Sequence, residues 1–248
     1  MTSRGLRTTG GADTINIDKF DHYNENWPTS SKFKFRVKEL KTERWAARRI
    51  LMSVSIDSIL TDLENGTAVA VSDGSFKDEF GTACWIIENG NGTERIIGLI
   101  DVPGGDKDHD AYRSELGGLY GIVSAVKILE DIGGIKSGEI EIGCDGMSAL
   151  NRAFWVEKEE ISSKQAHFDI ISGIHGLTEE SNIQYLTRHI KGHQDDRSEA
   201  DLDRWALLNI ECDLRAKHFM SDIITGYRKP PYTINKGIWQ VKVRGIII

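Results

Sequence analysis

The chain has 248 residues, 39% of them hydrophobic, enough to bury one sizeable core, although length alone admits one large or two small domains. A formal net charge of −7 excludes a protein that grips nucleic acid by bulk positive charge, so local basic surface or cations must do that work. The cysteines Cys84, Cys144 and Cys212 are odd in number and form no Cys-x-x-Cys pair, which excludes a disulfide framework or zinc knuckle; with no long apolar run and no secretory leader, the expected setting is intracellular, cytoplasmic or nuclear, with no membrane.

Along the chain, residues 1–18 are rich in Gly, Thr and Ser without periodicity and read as a flexible tail. Residues 19–66 read as a helical tether, with a helix over Lys41 to Glu64 that ends at Asn65-Gly66. The compact domain is expected over 67–222. Three strands come first: Thr67 to Asp73, then Ala83 to Glu88 and Arg95 to Val102 joined across Asn89-Gly90-Asn91-Gly92, whose Asn-Gly pairs suit tight turns. A long helix follows from Asp110 to Asp131. Next come a strand at Glu139 to Cys144, helices from Met147 to Val156 and from Ala166 to Glu180, a strand at Ile183 to Ile190, and a last helix over Asp201 to Met220. This order predicts an α/β fold: a five-stranded mixed sheet, three strands antiparallel and two parallel, flanked by helices. Residues 223–248 form a basic extension, expected as a hairpin because Trp239, Val241 and Val243 alternate after the break at Pro230-Pro231.

Four carboxylates occupy places where an apolar segment should not carry one. On the long helix Leu119, Ile122, Val126 and Leu129 recur at helical spacing, and Glu115 falls inside that stripe. Burying an ionised carboxylate unpaired is very unfavourable, so something cationic or hydrogen-bonding must meet it. Asp213 repeats the anomaly in the last helix, in the stripe Leu202, Ala206, Asn209, Asp213, Ala216, Met220, although Leu207, Ile210 and Leu214 broaden the apolar face there. Asp73 and Asp145 end strands. If the crossover between those strands is right-handed they are parallel neighbours, and both aspartates lie at carboxyl ends, where open sheets place their ligands. Such a set reads as a metal site.

These residues resemble ribonuclease H type 1, and within it the domains attached to retroelement reverse transcriptases. Ser72-Asp73-Gly74-Ser75 is similar to the first-strand motif, Tyr112-Arg113-Ser114-Glu115-Leu116 to the helix motif, and Cys144-Asp145-Gly146 to the fourth-strand motif. Lys191-Gly192-His193 resembles the catalytic histidine loop and Asn209-Ile210-Glu211-Cys212-Asp213 the last ligand motif. The resemblance implies hydrolysis of the RNA strand of an RNA–DNA hybrid, with Asp73, Glu115, Asp145 and Asp213 holding two Mg²⁺ or Mn²⁺ ions. It implies proton transfer or product release for His193, and substrate contacts from Gly74, Ser75, Gly146 and Asn209. It also implies a reverse transcriptase domain or polyprotein as partner.

The chain departs from the family in places. The stretch from His193 to Asp213 is long and acidic, Ala111 and Tyr112 replace amide side chains expected to face the minor groove, and Glu157, Glu159 and Glu160 dilute a basic handle to Lys158 and Lys164. Asp106, Asp108, His109 and Asp110 have metal-ligating types but sit in a glycine-flanked loop that reads as solvated, and Asp195-Asp196 lacks the surroundings of a polymerase pair. The competing class is a non-catalytic module of the same fold that binds hybrid or packs on a reverse transcriptase.

Overall fold

In the computed structural model, the described residues are 13–14, 24–40, 45–104, 108–155, 162, 164–192, 194, 201–224, 242–243 and 246–247. The strands are β1 (Asp13–Thr14), β2 (Arg49–Met52), β3 (Val69–Lys77), β4 (Phe80–Glu88), β5 (Arg95–Asp101), β6 (Gly138–Cys144) and β7 (Ile183–His189). The helices are α1 (Thr29–Glu39), α2 (Asp57–Asn65), α3 (Ala111–Gly133), α4 (Met147–Leu150), α5 (Phe168–Glu179) and α6 (Arg204–Ile224), with one wide helical turn at Asn151–Trp155 after α4.

The strands form one sheet in the order β1-β2-β5-β4-β3-β6-β7. The meander β3-β4-β5 is antiparallel, and β6 and β7 run parallel to β3, as the α/β pattern predicts. Two strands exceed the expected five. β2 pairs antiparallel with β5 along Arg49 to Met52, and the two-residue β1 pairs with β2. The helix expected over Lys41 to Glu64 is therefore corrected to a strand followed by α2. Its periodicity misled because Ile50, Leu51 and Met52 form a short apolar run that suits a strand buried on both faces, a pattern that spacing cannot separate from a helix segment.

Nor does this segment stand outside the domain as a tether. Phe33, Val37, Trp45, Ile50, Met52, Ile56, Ile59 and Leu63 lie buried in one cluster with Trp85 and with Leu119, Tyr120 and Ile122 of α3. Trp85 lies against Gly98 and Gly121, where an added Cβ would fall 2.0 Å and 2.4 Å from its ring, and its indole N–H donates to the Ala46 carbonyl at 2.9 Å. Trp45 stacks on Tyr120 with centroids 4.7 Å apart. A smaller cluster fills the opposite face, where α6 lays Leu208, Cys212, Ala216, Phe219 and Ile223 on Val71, Cys84, Ile86 and Leu99. All three cysteines are free and buried, as expected.

The β3–β4 connection is a two-residue turn at Asp78 and Glu79, both with positive φ, so these strands run longer than the composition predicted. The residue types gave no signal, because such turns favour Asn and Gly. In the C-terminal extension, Lys242–Val243 pairs antiparallel with Ile246–Ile247, while Trp239 and the other residues of 225–241 lie outside the described residues. No helix among the described residues is long and apolar enough to cross a membrane.

Candidate functional site

The four carboxylates arrive from four elements. Asp73 lies in β3 opposite Cys84, Glu115 one turn into α3, Asp145 directly after β6, and Asp213 midway along α6. All four line one open cleft of about 270 Å³ beside Gly74, Ser75, Phe76, Ala111, Gln194, Asn209, Ile210 and Lys217. The parallel pairing of β3 with β6 brings the two strand-borne aspartates to the same rim.

Local geometry explains how each side chain is held. Gly74 donates its backbone N–H to Glu115 Oε1 at 3.1 Å, and the Cys144 thiol donates to Glu115 Oε2 at 3.3 Å. A Cβ on Gly74 would sit 2.6 Å from the backbone of Ser114 and Glu115, so only glycine lets β3 and the start of α3 approach this closely. Asn209 donates its amide to Asp73 Oδ2 at 3.3 Å, while Asn209 Oδ1 is buried with no donor among the described residues. Lys217 pairs with Asp213 Oδ2 at 2.7 Å, one turn along α6. Asp145 is approached by the β7 exit: its carbonyl meets His189 Nε2 at 3.1 Å, and a Cβ on Gly192 would lie 2.6 Å from its Oδ2.

Electrostatically this is an under-neutralised cluster. Asp73 is only 6% exposed, and burial first, then the charges of Glu115, Asp145 and Asp213, push its pKa up to about 9. Burial and Asp145 raise Glu115 to about 7, against the lowering effect of its hydrogen bonds from Cys144 and Gly74. Like charges this close cannot all ionise without a counter-cation. Burial, then Glu115, holds the Cys144 thiol well above its ordinary value, so it stays protonated as a donor.

The tightest potential ligand group is Glu115, Cys144 and Asp145, whose donor atoms lie within 4.8 Å of one another. The carboxylate oxygens that Glu115 and Asp145 offer there are the donor type that hard divalent cations take. The residues present thus fit hard divalent cations.

The other expected positions divide. Gly74, Ser75 and Asn209 line the cleft and Gly146 is not among the lining residues; Gly74 and Gly146 commit their N–H groups internally, to Glu115 and to the Cys144 sulfur. His193 lies outside the described residues, as do Asp195, Asp196, Glu157 to Glu160 and Asp106. In the glycine-flanked acidic loop, Asp110 caps α3 through the Arg113 N–H at 2.7 Å and meets His167 Nε2 at 3.1 Å, and His109 Nε2 lies 3.1 Å from the Gly104 carbonyl. Lys217 is absent from the sequence reading, and Cys144 appears there only as part of a motif, without its contact to Glu115. For Lys217 a signal existed in the Asp-Lys spacing of one helical turn; for Cys144 there was none, because its partner is 29 residues away.

No protein-family model matches the chain, and no curated protein does. Solved structures with a similar arrangement include the N-terminal RNase H domain of Rv2228c from Mycobacterium tuberculosis fused to maltose binding protein, at 12% identity over 64% of this chain and 96% of that one, TM-score 0.38. LC11-RNase H1, isolated from compost by a metagenomic approach, matches at 11% identity over 64% of this chain and 99% of that one, TM-score 0.41. RNase H1 of the halophilic archaeon Halobacterium salinarum matches at 14% over 54% and 92%, TM-score 0.37. At these identities and scores no residue role passes from those proteins to this one.

Proposed function

We propose that the chain is a divalent-cation-dependent nuclease that hydrolyses the RNA strand of RNA–DNA hybrids. The observation that carries the reading is the convergence of Asp73, Glu115, Asp145 and Asp213 on one cleft, in an arrangement that leaves Asp73 protonated until a cation arrives. Two hard cations bound there would stabilise both the attacking and the leaving oxygen of an in-line phosphoryl displacement.

The chain's own groups supply the rest. Gly74 and Cys144 fix both oxygens of Glu115, and Asn209 fixes one oxygen of Asp73, so the ligand set is oriented before an ion binds. Lys217 is the cation among the described lining residues, and it shields Asp213. The selection of hybrid over other duplexes and a retroelement setting beside a reverse transcriptase draw their support from the likeness of the five motifs.

A strand-labelled RNA–DNA hybrid incubated with Mg²⁺, alongside RNA–RNA and DNA–DNA duplexes, tests the reading. The expected result is cleavage of the RNA strand of the hybrid alone, lost in Asp145→Asn. Binding of hybrid without cleavage by wild type would favour the non-catalytic module instead.

A further inference from the structure

α6 carries Asn209 and Asp213, and it is seated on the sheet by the apolar side chains Leu208, Cys212, Ala216, Phe219 and Ile223. Such apolar contacts hold a helix down but are non-directional and fix its position along its own axis poorly. Directed bonds do that: the Thr82 hydroxyl donates to the Ala216 carbonyl at 2.9 Å, Arg49 pairs with Asp222 at 2.8 Å, and the densest set lies at the first residue of the helix. Arg204 donates Nε and Nη2 to Glu88 Oε2 at 3.2 Å and 2.9 Å, Nη2 to the Asn89 carbonyl at 2.6 Å, and Nη1 to the Gly90 carbonyl at 2.7 Å. Glu88 is 5% exposed, and its other oxygen meets Arg95 at 2.6 Å. Arg95 in turn reaches Glu211 at 3.0 Å, two residues before Asp213.

The β4–β5 turn that receives Arg204 is itself pinned. Gly90 donates its N–H to Asp62 Oδ2 at 2.7 Å, Asn89 Nδ2 reaches Ser58 at 3.2 Å, and Asn89 Oδ1 accepts the Glu94 N–H at 2.9 Å. A continuous bonded path therefore runs from α2 through this turn to the start of α6. Arg204 and Asp213 are about 13 Å apart along a straight helix at 1.5 Å per residue, so a shift at one end moves the carboxylate at the other.

We infer that Arg204 and Glu88 are positioning residues: their clamp sets the axial place of α6 so that Asp213 and Asn209 meet Asp73 across the cleft. The inference rests on the functional reading above. Displacements of an ångström at a reacting site cost on the order of 100-fold, and lost supports of metal ligands typically weaken metal binding about 10- to 100-fold.

Calorimetric titration of Mn²⁺ into wild type, Arg204→Met, Arg204→Lys and Glu88→Gln tests this, with Ile174→Val in the far helix α5 as a variant that lowers stability without touching α6. About tenfold weaker binding is expected in Arg204→Met, a smaller loss in Arg204→Lys and Glu88→Gln, and unchanged binding in Ile174→Val at comparable melting temperature. If Arg204→Met does not fold, the two milder variants decide. Equal affinity in wild type and all clamp variants overturns the inference alone. A wild type that takes up no ion overturns the functional reading and the inference with it.

Discussion

At the scale of single residues, the decisive feature is a buried carboxyl that holds its proton. Asp73 with a pKa near 9 is mostly neutral at pH 7 in the metal-free protein, so Asp73→Asn mimics the state already present. The expected outcome is a metal-free melting temperature within a degree or two of wild type at about pH 7, with loss of the upward shift that millimolar Mg²⁺ gives wild type. A variant still stabilised by Mg²⁺ would argue that the ion binds elsewhere. Gly74→Ala is predicted to be harsher, because its methyl meets backbone that cannot swing away. Overpacking of this kind costs roughly 1–3 kcal/mol, so urea denaturation should show at least about 1 kcal/mol of loss together with weakened metal binding. In the sequence, Asp73, Glu115, Asp145 and Asp213 stand out because charge interrupts an apolar pattern or ends a strand, and the fold brings all four to the lining of one cleft. The sequence did not reveal how Glu115 is oriented, since its partners Gly74 and Cys144 are distant along the chain.

At the scale of elements, the surprise is the segment before residue 67. The β3-β4-β5 meander, α3, β6, α5 and β7 follow alternation and helical spacing, and their order was legible within a few residues. β2 was not, because four residues cannot show a period, and its pairing with β5 depends on an edge that only the folded sheet presents. Its structural weight is testable through Trp45, buried and stacked on Tyr120. Trp45→Ala should cost about 3 kcal/mol in equilibrium denaturation, in the range for large buried aromatics. A loss below about 1 kcal/mol would restore the tether. Deleting residues 1–66 removes ten buried residues of the main cluster, eight of them larger than alanine; at roughly 1.5–3 kcal/mol each, those eight contribute about 12–24 kcal/mol, comparable to or above the roughly 5–15 kcal/mol that holds a typical domain together. The deleted form should fail to give a cooperative thermal transition.

At the scale of the whole molecule, stability and charge are linked through the site. Asp73 and Glu115 bind protons more tightly in the fold than in the unfolded chain, so their contribution is fully present below the ordinary carboxylate range and is lost as pH rises through about 7 and about 9. Asp169, whose pKa the Arg113 hydrogen bond and charge lower despite burial, acts in the opposite sense, and its contribution is lost only as pH falls into the acid range. The metal-free melting temperature should therefore decline from about pH 6 to about pH 9. Mg²⁺ competes with those protons, so its stabilising shift should grow over the same interval; parallel curves with and without Mg²⁺ would contradict the linkage. The same electrostatics would reconcile a net charge of −7 with the polyanionic substrate proposed above, because cations bound in the cleft would supply the local positive charge that composition lacks.

The central claim is spatial: acidic side chains from β3, α3, the end of β6 and α6 share common divalent cations. Anomalous diffraction from crystals soaked in Mn²⁺ tests it most directly. One or two manganese peaks are expected within coordination distance of Asp73, Glu115, Asp145 and Asp213 oxygens, lost in Asp145→Asn. Peaks confined to other surfaces, or a cleft without density at saturating Mn²⁺, would contradict it.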